Sequence, residues 1–209
     1  MFNVPETVLL SGVTTAQLSY WRKPHGEQPP VLEPSLRHGR RIYYSFEDIV
    51  ALRSFAHLRG DVSLPKLRKA VRFLLERYPD THLSEHKLLS AKHVRTVVHL
   101  TSAGEYVDLV ERPGQEGIHV VMREIYDPFK LLSGREVPAL TNPTVGIVID
   151  PEVRSGQPCI DGTRVPYGII AGLTQDGLNA HHIAALYPGV TSTGVNGAMA
   201  FAKQVAEAS

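Results

Sequence analysis

Cysteine and tryptophan are almost missing: Cys159 and Trp21 are the single examples in 209 residues. One thiol excludes an internal disulfide and a paired-cysteine zinc site, and its setting in QPCID predicts a buried strand thiol, not a nucleophile. No apolar run reaches the roughly 18 residues of a membrane helix, and no charged-apolar-small leader opens the chain. Neither membrane insertion nor export is expected, so the chain is read as cytoplasmic. Internal repeats and low-complexity tracts are absent too. What is present is 43% apolar residues, enough for proper cores in one large domain or two small ones.

The net charge of +1 hides an asymmetry. Residues 1–80 hold 12 lysines and arginines against 8 acids, residues 81–145 hold 7 against 8, and residues 146–209 hold 3 against 5. The basic surplus belongs to the first segment, which predicts a polyanion as its partner and a different partner for the rest.

The expected fold class is α+β in three parts: 1–80 a basic helical head, 81–145 a strand-rich linking or dimerising segment, and 146–209 a small helical domain with a short strand pair. VPETVLLSG predicts a helix stopping at Gly12, and TTAQLSYWRK a second with Thr14 as its N-cap. Two short helices meeting at a glycine make a helix-turn-helix. RHGRRIYYS predicts a hairpin turning at His38-Gly39. In SFEDIVALRSFAHLRG, Ser45 and Asp48 have capping-box spacing, with Ile49, Leu52, Phe55 and Leu58 on one face. A fourth helix, SLPKLRKAVRFLLERYP, ends before Pro79. TVVHLTS, EYVDLVE and GIHVVMREI predict strands, TNPTVG a joint, VGIVID and PCIDGTRVP two extended pieces, and the remainder three short helices.

The second helix of a helix-turn-helix enters the major groove by its N-terminal end, where small polar side chains reach base edges. Thr14, Thr15 and Gln17 are suited to that position; Leu18 turns inward, Tyr20 can donate to a phosphate, Trp21 packs where helix meets hairpin, and Arg22 and Lys23 add charge. An amphipathic surface helix around a core tryptophan is the plainer alternative. Arg37-His38-Gly39-Arg40-Arg41 favours the first reading, because it sets three guanidinium groups on a tight turn where phosphates would pass.

GVTTAQLSYW, then RHGRRIYYSFEDIVALRSFAHLRG, then SLPKLRKAV together resemble the DNA-binding domain of the MerR family, over about residues 3–78. That resemblance implies a winged helix-turn-helix that binds operator DNA as a dimer, with Arg41 and Tyr43 as wing contacts to phosphate and Tyr20 as a recognition-helix contact. Ala16 and Ser19 depart from the arginines of many relatives, so the usual operator is not assumed; Arg22, Lys23 and Arg40 are candidates to compensate. The long dimerisation helix and cysteine ligands of ligand-sensing relatives are missing, and no cofactor or metal is expected.

RSGQPCIDGTRVPYGIIAGLTQDGLNAHHIAALYPGVTSTGVNGAMAFA is similar to a small domain without a functional name, often found in antitoxins encoded beside a PIN-domain ribonuclease. With the MerR-like head it resembles a subset of VapB-type antitoxins. The resemblance implies operon repression and silencing of a PIN-domain toxin, as a homodimer or a hetero-oligomer with that toxin. PIN nucleases cluster carboxylates, so Arg154, Arg164 and Lys203 are candidate toxin contacts, against the plainer reading that an arginine in a strand turn fixes its own loop. Met199, Phe201 and Val205 share a helix side and are expected in the core. A regulator answering to a small-molecule or protein signal, without a toxin, is the alternative function. His82, Glu85 and His86 fit the order of an inverted zinc-peptidase signature, a pattern short enough to arise by chance; His181-His182 is weaker, since helical neighbours diverge.

Overall fold

The first three helices each begin with the local hydrogen bonds their sequences dictate. The computed structural model describes residues 1–26, 30–59, 62–85, 87–91, 96–100, 106–110 and 125–208. Helix α1, Val4–Ser11, is capped by Asn3, whose side chain accepts from the Glu6 amide (2.9 Å) while Glu6 accepts from the Asn3 amide (2.8 Å). It stops at Gly12 in the left-handed region (φ 81°), where a Cβ would also lie 2.7 Å from Val137. Helix α2, Thr15–Trp21, has the same box between Thr14 and Gln17, and α3, Phe46–Leu58, between Ser45 and Asp48. Helix α4, Leu64–Arg77, buries Leu67, Ala70, Val71 and Leu74 on one face.

Between α2 and α3 lies a ribbon of β1, Leu36–His38, and β2, Arg41–Tyr43, paired Arg37 with Ile42 and His38 with Arg41. The turn is therefore Gly39-Arg40, one residue later than expected, with Gly39 supplying the positive φ (59°) at the first loop position. Reciprocal bonds between Phe2 and Tyr44 (2.8 and 2.9 Å) tie the ribbon's end to the start of the chain.

Helix α3 is not the one-faced helix expected. Val50, Ala51, Arg53 and Ser54 are buried along with the predicted face, because α1, the 3₁₀ turn Leu83–Glu85 and residues beyond 124 surround it. Arg53 is fully buried and donates to the carbonyls of Leu10, Ile125, Asp127 (2.7 Å) and Pro138 (3.0 Å). Burial lowers its pKa to about 10, the charge of Asp127 opposing that fall, and the Phe129 ring lies 5.0 Å from the guanidinium.

A three-stranded antiparallel sheet follows, β3 (Lys87–Ala91), β4 (Thr96–Leu100) and β5 (Tyr106–Asp108), in that order. Two of these strands were expected; β3 was not, since its KLLSA has no β-branched residue and pairing overrides local preference. The expected strand GIHVVMREI lies almost wholly outside the described residues. A second unexpected ribbon joins β6, Phe129–Lys130, to β7, Glu136–Val137. The TNPTVG joint is held to the body: the Thr141 carbonyl accepts from Ile149 (2.8 Å) and the Thr144 hydroxyl donates to Gln204 (2.9 Å).

The last part pairs β8, Ile147–Val148, with β9, Cys159–Ile160, beneath α5 (Tyr167–Gln175), α6 (Ala180–Leu186) and α7 (Ser192–Glu207). Helix α7 rests on the ribbon through glycines: a Cβ at Gly194 would stand 2.4 Å from Ile160, and one at Gly197 2.3 Å from the Val145 carbonyl. Phe201 and Val205 are core, Met199 is half-buried, and Cys159 is a buried strand thiol whose pKa burial raises. The architecture is α+β, and its ends meet: the Tyr167 hydroxyl donates to Glu6 at 2.8 Å, where burial raises the pKa of both groups.

Candidate nucleic-acid interface

Helix α2 turns Leu18 and Trp21 inward and leaves Thr14, Thr15, Ala16, Tyr20 and Lys23 exposed. Trp21 is buried and packs edge-on against Phe55 of α3 (5.9 Å between centroids). Its carbonyl accepts from the Val31 amide at 2.8 Å. The capping box alters the prospects of two predicted contacts. Gln17 accepts the Thr14 amide with Oε1 (2.7 Å), and the Thr14 hydroxyl accepts from the Gln17 amide (3.1 Å). Facing outward beside this box are the Gln17 side-chain NH₂ group, a donor, and the exposed Thr15 hydroxyl.

Tyr20 stands 42% exposed, its ring 3.8 Å from that of His25 and 4.6 Å from the Arg68 guanidinium. Arg68, from α4, is brought onto Tyr20 although the sequence reading passed over it; the signal was a basic residue one turn into the fourth helix. Arg22 is half-buried, donating to Ser19 at 3.4 Å. Burial raises the pKa of the Tyr44 hydroxyl, and the charges of Arg22 and Arg37 oppose that rise.

Arg37, His38, Arg40 and Arg41 are exposed and Tyr43 is half-buried. The register pairs His38 with Arg41 and Leu36 with Tyr43, which puts these four on one face, Arg37 and Ile42 on the other, and Arg40 in the turn. Asp48, 1% exposed, anchors the ribbon. Its Oδ2 accepts from the Ser35 amide (3.1 Å), the Ser35 hydroxyl (2.6 Å) and the Ser45 amide (2.9 Å), and its Oδ1 accepts from His82 Nε2 (3.2 Å). Burial pushes the Asp48 carboxyl up, but the bonds from His82, Ser35 and Ser45 outweigh it and hold the pKa below its ordinary value. The Asp48 bond in turn raises the pKa of His82 against its own desolvation.

His82 is thereby engaged at both nitrogens, since Nδ1 accepts from the Ser84 amide at 3.1 Å. Its predicted companion His86 lies outside the described residues. Among the described residues no group of three or more His, Cys, Asp or Glu is arranged to hold a metal ion. No helix there is long and apolar enough to cross a membrane.

Arg154 and Arg164 are both exposed and both act electrostatically on the Cys159 thiol, lowering its pKa against burial, so the two lie near the same strand. Arg154 and Ser155 hold positive φ (51° and 53°), a strained turn in which Gly156 packs against Phe46 and Arg154 donates to Gln157 at 2.9 Å. Lys203 is exposed on α7 and pairs with Glu207 at 3.8 Å. His181 and His182 are both exposed on α6, their rings 6.2 Å apart.

With this geometry in hand, residues 147–202 match a family described as a protein of unknown function, DUF433. The match spans the β8–β9 ribbon and most of the three final helices. No curated protein matches the chain. Among solved structures, the crystal structure of Rv2018 from Mycobacterium tuberculosis is similar at 18% identity and a TM-score of 0.52, over 95% of this chain and 96% of that one. At that identity the likeness speaks for the fold alone.

Proposed function

We propose that this chain is the antitoxin of a type II toxin–antitoxin pair: a cytoplasmic DNA-binding protein that represses its own operon and silences a PIN-domain ribonuclease. The carrying observation is the exposed, acid-anchored ribbon. Arg37, Arg40 and Arg41 stand in solvent on a hairpin fixed at its root by buried Asp48, beside a helix that offers Thr15, Gln17 and Tyr20. Guanidinium groups on such a mount gain phosphate contacts and release counterions, while the helix supplies what base readout there is. The winged helix-turn-helix of the MerR resemblance fits this arrangement, and a dimer would cover two half-sites.

The toxin half rests on the resemblance of the C-terminal part to antitoxin-associated domains, with Arg154, Arg164 and Lys203 as the cations offered to an acidic pocket. Fluorescence anisotropy of the full chain with the duplex upstream of its own gene tests the DNA half. Binding that falls steeply with salt supports it, and affinity unchanged by Arg40→Ala with Arg41→Ala overturns the wing's role. Copurification with the product of the adjacent reading frame tests the other half.

A regulator that answers to a small molecule is the second reading. What favours it is a cleft beside α2, described next.

A further inference from the structure

Next to the beginning of α2 lies a cleft of about 480 Å³, a volume in the range of small-molecule sites. Three separate parts of the chain build it. The α1–α2 turn and α2 contribute Thr14 and Gln17, the end of α3 contributes His57 and Arg59, and the β6–β7 hairpin supplies the opposite wall. Phe129, Leu131 and Leu132 make that wall apolar, and Lys130 and Arg135 make it cationic. No lining residue carries a carboxylate, whereas the adjoining cleft includes Glu136 and another, elsewhere on the surface, includes Glu33 and Asp80.

Arg135 donates to the carbonyls of Gly12 and Val13, so this guanidinium meets neutral acceptors where it is half-buried. Burial lowers its pKa. A cation drawn partly out of water gains most from a charged acceptor, since charge-assisted bonds are about twice as strong as neutral ones. Lys130 leans across the hairpin to Glu136 at 3.7 Å, but both are more than half exposed and the pair holds the lysine weakly. Leu132, 87% exposed at the hairpin tip, offers apolar area beside these charges.

We propose that the cleft binds a small organic anion, a carboxylate or phosphate monoester on an aromatic or aliphatic body, and that its occupation masks Thr14 and Gln17 and so excludes a duplex. The exclusion rests on the nucleic-acid reading above; the binding itself does not. Arg59, Lys130 and Arg135 take the charge, and Phe129 and Leu132 cover the body. Because Arg135 also holds the turn between α1 and α2, the bound anion touches the part of the fold that sets the angle of α2.

Calorimetric titration of the full chain with benzoate and with phenyl phosphate, with benzyl alcohol as the uncharged control, tests the site at constant ionic strength. The expected result is saturable binding of at least one anion and none of the alcohol. Lys130→Gln should weaken it at least threefold and Ser133→Trp, which fills the mouth from an exposed position, should remove it, with unchanged circular dichroism in both. No saturable heat at millimolar anion, equal binding of the alcohol, or full binding in both variants overturns the site. In a second arm, the bound anion should release the upstream duplex from the natural chain but not from Ser133→Trp. Saturable anion binding with the duplex retained overturns the exclusion. A chain that never binds duplex removes the nucleic-acid reading and leaves the first arm to decide the cleft.

Discussion

The wing β1–β2 and the β8–β9 pair are both two-stranded antiparallel ribbons, yet one stands in solvent and the other lies under a helix. Every residue of β1 is exposed, while both residues of β9 are buried. An isolated hairpin is marginal in water, so the wing must draw its order from its root, where Asp48 and the Phe2–Tyr44 bonds hold it. The buried ribbon draws its order from contact, with Gly194 and Gly197 removing the side chains that would hold α7 away. Equal secondary structure thus serves opposite ends: the covered ribbon is core, and the exposed one keeps its cations available.

This contrast is open to attack from the buried side first. Gly197→Ala would set a methyl 2.3 Å from a backbone carbonyl oxygen. Overpacking of this kind costs about 1–3 kcal/mol, and with backbone as the obstacle the upper end is expected in urea unfolding. Gly39→Ala in the wing meets open space and carries only the strain of its positive φ, about 1 kcal/mol. Equal losses at the two glycines would erase the distinction. Next in size, Asp48→Asn removes the charge that four donors share and should cost roughly 2 kcal/mol, with duplex affinity falling alongside stability.

Arg40→Ala with Arg41→Ala should separate those two properties. Unfolding stays within about 0.5 kcal/mol of the natural chain, duplex affinity drops about tenfold, and the log–log salt slope shrinks by about two. A loss of stability as large as the loss of binding would mean that the wing is packed, not presented. The smallest effect is in pH. The raised pKa of His82 means that its contribution is full below the ordinary imidazole range and fades as pH rises through the folded value; the lowered pKa of Asp48 gives a contribution full above the ordinary carboxylate range and lost as pH falls through its folded value. The stability difference between the natural chain and His82→Ala should therefore plateau between about pH 5 and 6 and decline on both sides. With His82 37% exposed, screening keeps it below about 1 kcal/mol.

Much of the fold was legible because it is local. Thr14 with Gln17 and Ser45 with Asp48 announce helix starts within four residues, and Gly12, Gly177 and Gly189 mark breaks where φ is positive. The expected cations of the ribbon are exposed, and Leu18 turns inward as read. What escaped depends on distant partners. β3 exists because β4 pairs with it, and β6–β7 is too short to show alternation. Arg53 did leave a trace, since Ile49, Leu52, Arg53 and Ala56 follow helical core spacing, which puts a charge in an apolar stripe. Its four carbonyl acceptors come from segments that the stripe cannot name. Arg135 and the cleft escaped for the same reason, being assembled from residues 12–17, 56–59 and 129–135, which lie far apart in the chain.

Arg53 reaches a carbonyl eighty-five residues downstream at Pro138, as well as those of Ile125 and Asp127. A nascent chain that has emerged only through α4 therefore holds a guanidinium in its centre with most of its acceptors still inside the ribosome. Closing that long loop is slow relative to local helix formation, so the surroundings of Arg53 are completed late, by residues far downstream of the head. Biosynthesis thus builds the N-terminal helices first and completes the surroundings of Arg53 last.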